Sequence, residues 1–184
     1  IIIFQEDIRN FFSSLGTQHS IGKIVHFFSR PSQDANIVSE NSIIPVVRAC
    51  MSMSAQKVGA LIVYERYIGL GDIEKTGEMI DAEIKQRLIE NIFFKNSPLH
   101  DGAMIISHHR IASAGCILPV SHDEDIPRNL GLRHRAAMGI TQKSDALAIT
   151  VSEETGGISV AYNGKFHLNL TGEELERILT EMVA

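Results

Sequence analysis

The chain has 184 residues, 44% of them hydrophobic, enough for one domain of ordinary size with its own core. Its formal net charge of -5 supplies no global basic field. That excludes a non-specific grip on a long nucleic acid and makes any anion site a local one.

Cys50 and Cys116 sit in apolar surroundings without a CxxC pattern, which reads as two buried free thiols in a reducing compartment. No signal-peptide pattern is visible, and no apolar run approaches the roughly 18 residues of a spanning helix. The chain begins at Ile1 without Met, which leaves open membrane segments upstream.

In chain order, Asp7 to Leu15 is predicted to form a short helix, with Ile8, Phe11, Phe12 and Leu15 on one packing face. Gly16 to Asn41 reads as loop around Pro31, with room for one helical turn. Ser42 is a candidate cap for a helix to about Gln56, with Pro45 in its first turn and Val46, Val47, Cys50 and Met53 on its apolar side. Val58 to Tyr64 is a continuous apolar run, the pattern of a strand buried on both faces. Gly69 to Gly77 reads as loop, and Asp81 to Phe94 as a helix with Ile84, Leu88 and Ile92 inward.

Ala103 to Ser107 and Arg110 to Leu118 are predicted strands joined by a tight His108-His109 turn. Asn129 to Met138 is a short helix with Arg133-His134-Arg135 in its first turns. Ala146 to Ser152, Ile158 to Tyr162 and Lys165 to Leu170 follow as strands, the last two around the hairpin signal Asn163-Gly164. Thr171 and Glu174 form a capping box for a final helix with Leu175, Ile178, Leu179 and Met182 on its apolar side. The sum is a single α/β domain, a mixed central sheet flanked by helices.

Four polar clusters stand out in this apolar frame. In His100-Asp101-Gly102-Ala103, Gly102 admits a close ligand backbone contact or a φ that other residues avoid. Asp101 sits where a loop enters a strand and suits orienting or deprotonating a hydroxyl, while His100 suits a metal or a phosphate oxygen. The same residues also fit a plain turn, with Asp101 capping an amide. In Arg133-His134-Arg135 the two guanidinium groups differ in direction by about 200° but both can reach around an anion held at a helix start. A solvated charged patch is the alternative; Gly131, Ala136, Ala137 and Gly139 weigh against it, because small neighbours imply tight packing.

Ser152-Glu153-Glu154-Thr155-Gly156-Gly157 follows a buried strand; Ser152 suits a phosphate and the glutamates a hard metal, and a polar turn explains them equally well. Gly115-Cys116-Ile117-Leu118-Pro119 ends a strand, where Pro119 holds Leu118 extended and backbone groups can face a flat heterocycle. A simple strand end explains it too.

Taken together, these clusters resemble the diadenylate cyclase domain, the DisA N-terminal or DAC family. The matching pieces include Gly59-Ala60-Leu61-Ile62-Val63-Tyr64-Glu65-Arg66 and the four clusters above, in the family's order, over about Phe4 to Tyr162. The opening Ile3-Phe4-Gln5-Glu6-Asp7-Ile8-Arg9 looks like the segment that joins membrane helices to the catalytic domain in the membrane-anchored type. The resemblance implies that residues 1–16 are a helix or linker following a membrane anchor, and that 17–184 are a cytoplasmic catalytic domain tethered to the cell membrane.

It further implies condensation of two ATP into cyclic di-AMP and two pyrophosphates, with Mn²⁺ or Mg²⁺, across a face-to-face homodimer. By position, Asp101, Gly102, Arg133 and Arg135 are then the catalytic residues. Gly102, Ala103, Leu118, Arg133, His134, Arg135, Ser152 and Glu153 bind ATP, and His100 and Glu154 hold the metal. Two positions depart from the family pattern. Leu132 replaces a threonine before the Arg-His-Arg triplet, and Ile117 stands where an aromatic residue often stacks on adenine. A sensor that binds ATP or cyclic di-AMP without turnover is the competing reading, and a protein-interaction domain the third.

Overall fold

The computed structural model describes the backbone of residues 33–123, 126–127 and 130–183, with side chains from Ser42 onward. The helix expected at Asp7 to Leu15 lies outside these residues. Residues Asp34–Ala184 form one compact unit.

Three strands are buried at every position: β1 (Ala60–Tyr64), β3 (Ala103–Ser107) and β5 (Leu147–Val151). Their mainly apolar runs lie side by side in the middle of a seven-stranded sheet. The others are β2 (Glu78–Glu83), β4 (Arg110–Cys116), β6 (Ile158–Tyr162) and β7 (Lys165–His167), and the order is β2-β4-β3-β1-β5-β6-β7. Only β1 and β3 pair in parallel, with Ile62 opposite Met104; every other pairing is antiparallel.

Alternation along β1 sorts the core into two layers. Ile62 and Tyr64 face Val46, Cys50 and Met53 of α1 (Gln33–Gln56), Ile89 of α3 (Gln86–Ile92), and Leu175 and Leu179 of α5 (Gly172–Val183). Leu61 and Val63 face Ala136, Ala137 and Ile140 of α4 (Leu132–Lys143). The small alanines let α4 lie close to the sheet, and its start therefore sits near the sheet surface.

Several expected boundaries move. The first described helix runs from Gln33 through Pro45, so Ser42 is an interior residue and not its cap. Proline removes an N–H and crowds the preceding turn, yet Ile43, Val46, Val47 and Cys50 around it are buried, and that packing keeps the helix continuous. The loop expected over Gly69 to Gly77 contains a single turn of helix, α2 (Gly71–Glu74).

The helix expected from Asp81 gives way to the edge strand β2, and α3 begins only at Gln86. The strand was hidden because it is polar and mostly exposed. It is held from outside its own sequence, by pairing with β4 and by Arg110, whose Nε lies 2.6 Å from Asp81 Oδ1. Strand β4 stops at Cys116, and α4 lies three residues later than expected at its start and five at its end.

The local turn signals hold. Asn163 and Gly164 both take positive φ, 48° and 67°, as a two-residue hairpin demands. Thr171 and Glu174 cap each other: the Thr171 amide donates to Glu174 Oε2 at 2.8 Å, and the Glu174 amide donates to Thr171 Oγ1 at 3.2 Å.

Candidate active site

Sheet topology brings the clusters to one edge. Ala60 is opposite Val151, and Ala103 is opposite Cys116. The starts of β1 and β3 and the ends of β4 and β5 therefore lie together. Gly59, Asp101-Gly102, Ile117-Leu118 and Ser152-Glu153 each continue one of those strand ends, and the first turn of α4 reaches the same edge.

Three adjoining pockets open there. The first, of about 420 Å³, has an apolar floor of Leu61, Cys116, Leu118 and Ala136, with Ile117 and Leu132 at its rim and Asp101, Gly102 and Arg133 at one end. The second, about 380 Å³, is polar and is lined by Asp101, Gly131, Arg133, Ser152, Glu153 and Glu154 among others. The third, about 420 Å³, is lined by Lys57, Gly59, Lys95, His100, Arg133 and Glu153 among others. Arg133 lines all three, Asp101 the first two, and Glu153 the last two.

The Arg133 guanidinium is oriented by Glu153: Nη1 donates to Oε2 at 2.8 Å. One of its five N–H groups is so occupied, which leaves a fork for phosphate oxygens. Asp101 presents a side chain that is 86% exposed, open to an incoming group. Behind it, Nδ1 of His100 lies 2.6 Å from the carbonyl oxygen of Ser97, and Nε2 lies 3.6 Å from Asp101 Oδ1.

Gly102 is required by the chain itself. Its φ is +119°, and a Cβ there would stand 2.6 Å from the Gly115 carbonyl carbon. Of the two explanations open at the sequence level, the special φ and close packing against β4 are what the backbone shows.

The Ser152 loop is an ordered turn and a pocket wall at once. The Glu154 and Thr155 amides donate to Ser152 Oγ, at 3.3 and 3.2 Å, and the hydroxyl keeps its own hydrogen for another acceptor. Gly156 has φ +80° and accepts a 2.6 Å bond from Ser54 Oγ, which ties the loop to α1.

The remaining sequence candidates lie elsewhere. Ala103 is fully buried inside β3. Arg135, expected to reach the same anion as Arg133, lines none of the three pockets, because the helix turns it about 200° away from Arg133; its carbonyl accepts the Ser121 amide at 3.0 Å. His134 borders the polar pocket, but it is buried and packs edge-on against Phe166 at 6.1 Å. Burial holds its imidazole below the usual histidine pKa. The Ile117 amide donates to Thr76 Oγ1 at 2.9 Å, so this backbone group already has a partner.

His100 and Glu154 line different pockets, and among the described residues no group of three or more His, Cys, Asp or Glu could hold a metal. A metal here would rest on His100 and Asp101 with ligand phosphates completing its shell. Burial raises the Cys116 thiol pKa more than the hydrogen bond with Ser113 lowers it, which favours the neutral thiol over the thiolate. Lys57 and Lys95 were given no role by sequence reasoning, because isolated lysines carry no spacing signal.

Comparison with known proteins follows the same outline. The family model described as "DisA bacterial checkpoint controller nucleotide-binding" matches residues 47–166, and the chain belongs to this DAC family. Cyclic di-AMP synthase CdaA of Bacillus subtilis (strain 168) is 42% identical over 179 residues, 97% of this chain and 63% of that protein. A diadenylate cyclase of Listeria monocytogenes serotype 1/2a (strain 10403S) is 40% identical over the same shares. The chain thus spans less than two thirds of the length of these relatives.

Among solved structures, a double mutant of DacA from Staphylococcus aureus superposes with TM-score 0.76 at 44% identity, covering 82% of this chain and 98% of that one. A hypothetical membrane spanning protein from Bacillus cereus gives TM-score 0.66 at 37% identity, covering 93% and 80%.

Proposed function

We propose that this chain is the catalytic domain of a diadenylate cyclase, which condenses two ATP into cyclic di-AMP and two pyrophosphates. The observation that carries the reading is the meeting of an apolar slot and a polar pocket at Asp101 and Arg133. A flat base fits the slot, and phosphates fit the polar side.

The chemistry needs positioning and charge neutralisation more than covalent help. Asp101 orients the ribose 3'-hydroxyl and takes its proton as that oxygen attacks an α-phosphorus. The bond to pyrophosphate breaks, and pyrophosphate leaves; the step occurs twice per product. Arg133, fixed by Glu153, holds phosphate oxygens as charge shifts toward the leaving group. Ser152 keeps a hydroxyl hydrogen for the same purpose.

His100 Nε2 and the Asp101 carboxylate would hold a divalent ion, Mn²⁺ or Mg²⁺, with ATP phosphates as its other ligands. When bound, it supplies positive charge to the transferring phosphate. Glu154, in the adjoining polar pocket, is a further candidate.

One chain provides a hydroxyl end and a phosphate end for one nucleotide. Condensing two therefore takes a second copy, face to face, whose bound ATP supplies the other reacting pair. No helix among the described residues is long and apolar enough to cross a membrane. The membrane-spanning description of the Bacillus cereus neighbour supports an anchor outside this chain, with the catalytic domain held at the cytoplasmic face. Incubation with ATP and Mn²⁺ or Mg²⁺ tests the reading: a product at the mass of cyclic di-AMP supports it. ATP left intact, or degraded without that product, ends it.

A further inference from the structure

We propose that Gly59 is a positioning residue for the phosphate-holding arginine, an inference that rests on the role given above to Arg133. The missing side chain leaves the notch in which the Arg133–Glu153 pair sits. A Cβ on Gly59 would stand 2.8 Å from Arg133 Nη1, 3.0 Å from its Cζ and 2.9 Å from Glu153 Oε2. Ordinary carbon contacts lie at about 3.5 to 4.0 Å. One methyl group would therefore strike both partners of the 2.8 Å ion pair together.

The backbone cannot yield instead. Ala60, the next residue, opens the central strand and pairs with Val151 of β5. On the other side the Val58 amide donates to the Met53 carbonyl at 2.9 Å. The Gly59 main chain is thus fixed between α1 and the middle of the sheet, and the guanidinium and carboxylate must move.

Gly59 also differs from the glycines required for conformation. Gly102, Gly115, Gly156 and Gly164 take positive φ, and Gly59 does not. Alanine meets no backbone strain there, and the three atoms nearest its Cβ all belong to the ends of two flexible side chains. The fold should survive Gly59→Ala while the arginine shifts by a large fraction of an ångström. Misplacement by about 1 Å can cost on the order of 100-fold in rate.

The test compares wild type, Gly59→Ala, Arg133→Ala and the double variant by cyclic di-AMP formation, ATP affinity by calorimetry, and thermal unfolding. The expected result is a turnover about 10- to 100-fold below wild type for Gly59→Ala, with its melting midpoint within about 3 °C of wild type. On the Arg133→Ala background the same substitution should change nothing further, because no guanidinium is left to displace.

Three results would overturn the inference: Gly59→Ala within about twofold of wild type, a large drop in its melting midpoint, or single losses that multiply in the double variant. Where wild type binds ATP without forming cyclic di-AMP, the cyclase reading fails alone. The cycle in ATP affinity then decides the role of Gly59 by the same criteria.

Discussion

His100 donates its Nδ1–H to the carbonyl oxygen of Ser97 at 2.6 Å. A carbonyl oxygen only accepts, so Nδ1 carries the proton, and in the neutral ring Nε2 offers its lone pair beside Asp101. That is the tautomer a metal bound at Nε2 requires. His100→Ala should raise the Mn²⁺ concentration needed for half-maximal activity by about 10- to 100-fold, with saturating metal restoring part of the rate. An unchanged metal titration would remove His100 from the metal site.

Gly102 joins the site to the sheet, and its substitution should report on folding before it reports on chemistry. Alanine at φ +119°, with its Cβ 2.6 Å from backbone of β4, has no flexible neighbour to push aside. Gly102→Ala should cost about 3 kcal/mol, or about 10 °C in melting midpoint. A midpoint within about 2 °C of wild type would show that the strand yields easily.

His134 gives stability a pH dependence with a definite sign. Burial lowers its pKa in the folded chain below the ordinary 6.5, so the unfolded chain binds the proton more tightly. The stabilising contribution is complete above about pH 6.5 and is lost as pH falls toward the folded pKa, where the loss levels off. Thermal melts across that range should show the decline in wild type and a flatter profile in His134→Gln. The same slope in both proteins would assign the decline to other groups.

Ile117 stands at the rim of the apolar slot with 71% of its surface exposed. A ring has room there, and an aromatic partner for a base adds about 0.5–1.5 kcal/mol. Ile117→Tyr should tighten ATP binding by about 2- to 10-fold in calorimetry. Unchanged or weaker binding would place the base elsewhere.

The buried strands were legible in the sequence because their apolar runs have a single explanation. The Asn163-Gly164 turn and the Thr171–Glu174 box were legible because their chemistry is local. Strand β2 was not, since Glu78, Met79 and Asp81 are exposed and the strand exists through β4 and Arg110, over 25 residues away. The start of α1 was missed for a similar reason: Pro45 is a strong local signal that core packing overrides.

At the site, the residue types in each cluster pointed to chemistry, but distances could not be read from spacing. The sequence treated Arg133 and Arg135 alike, whereas the helix turns only Arg133 into the pockets. Gly59 had no visible role until the Arg133–Glu153 pair was seen beside it.

The measurement that tests the central claim most directly compares Asp101→Asn with wild type on ATP and Mn²⁺, reading cyclic di-AMP by mass and ATP affinity by calorimetry. The substitution keeps size and shape at an exposed position, and it removes the charge that orients and accepts the hydroxyl proton; Mn²⁺ is kept saturating because the same carboxylate would help His100 hold the ion. The account predicts ATP binding within about threefold of wild type and product formation lower by about 100-fold or more. Product formed at the wild-type rate by Asp101→Asn would contradict it.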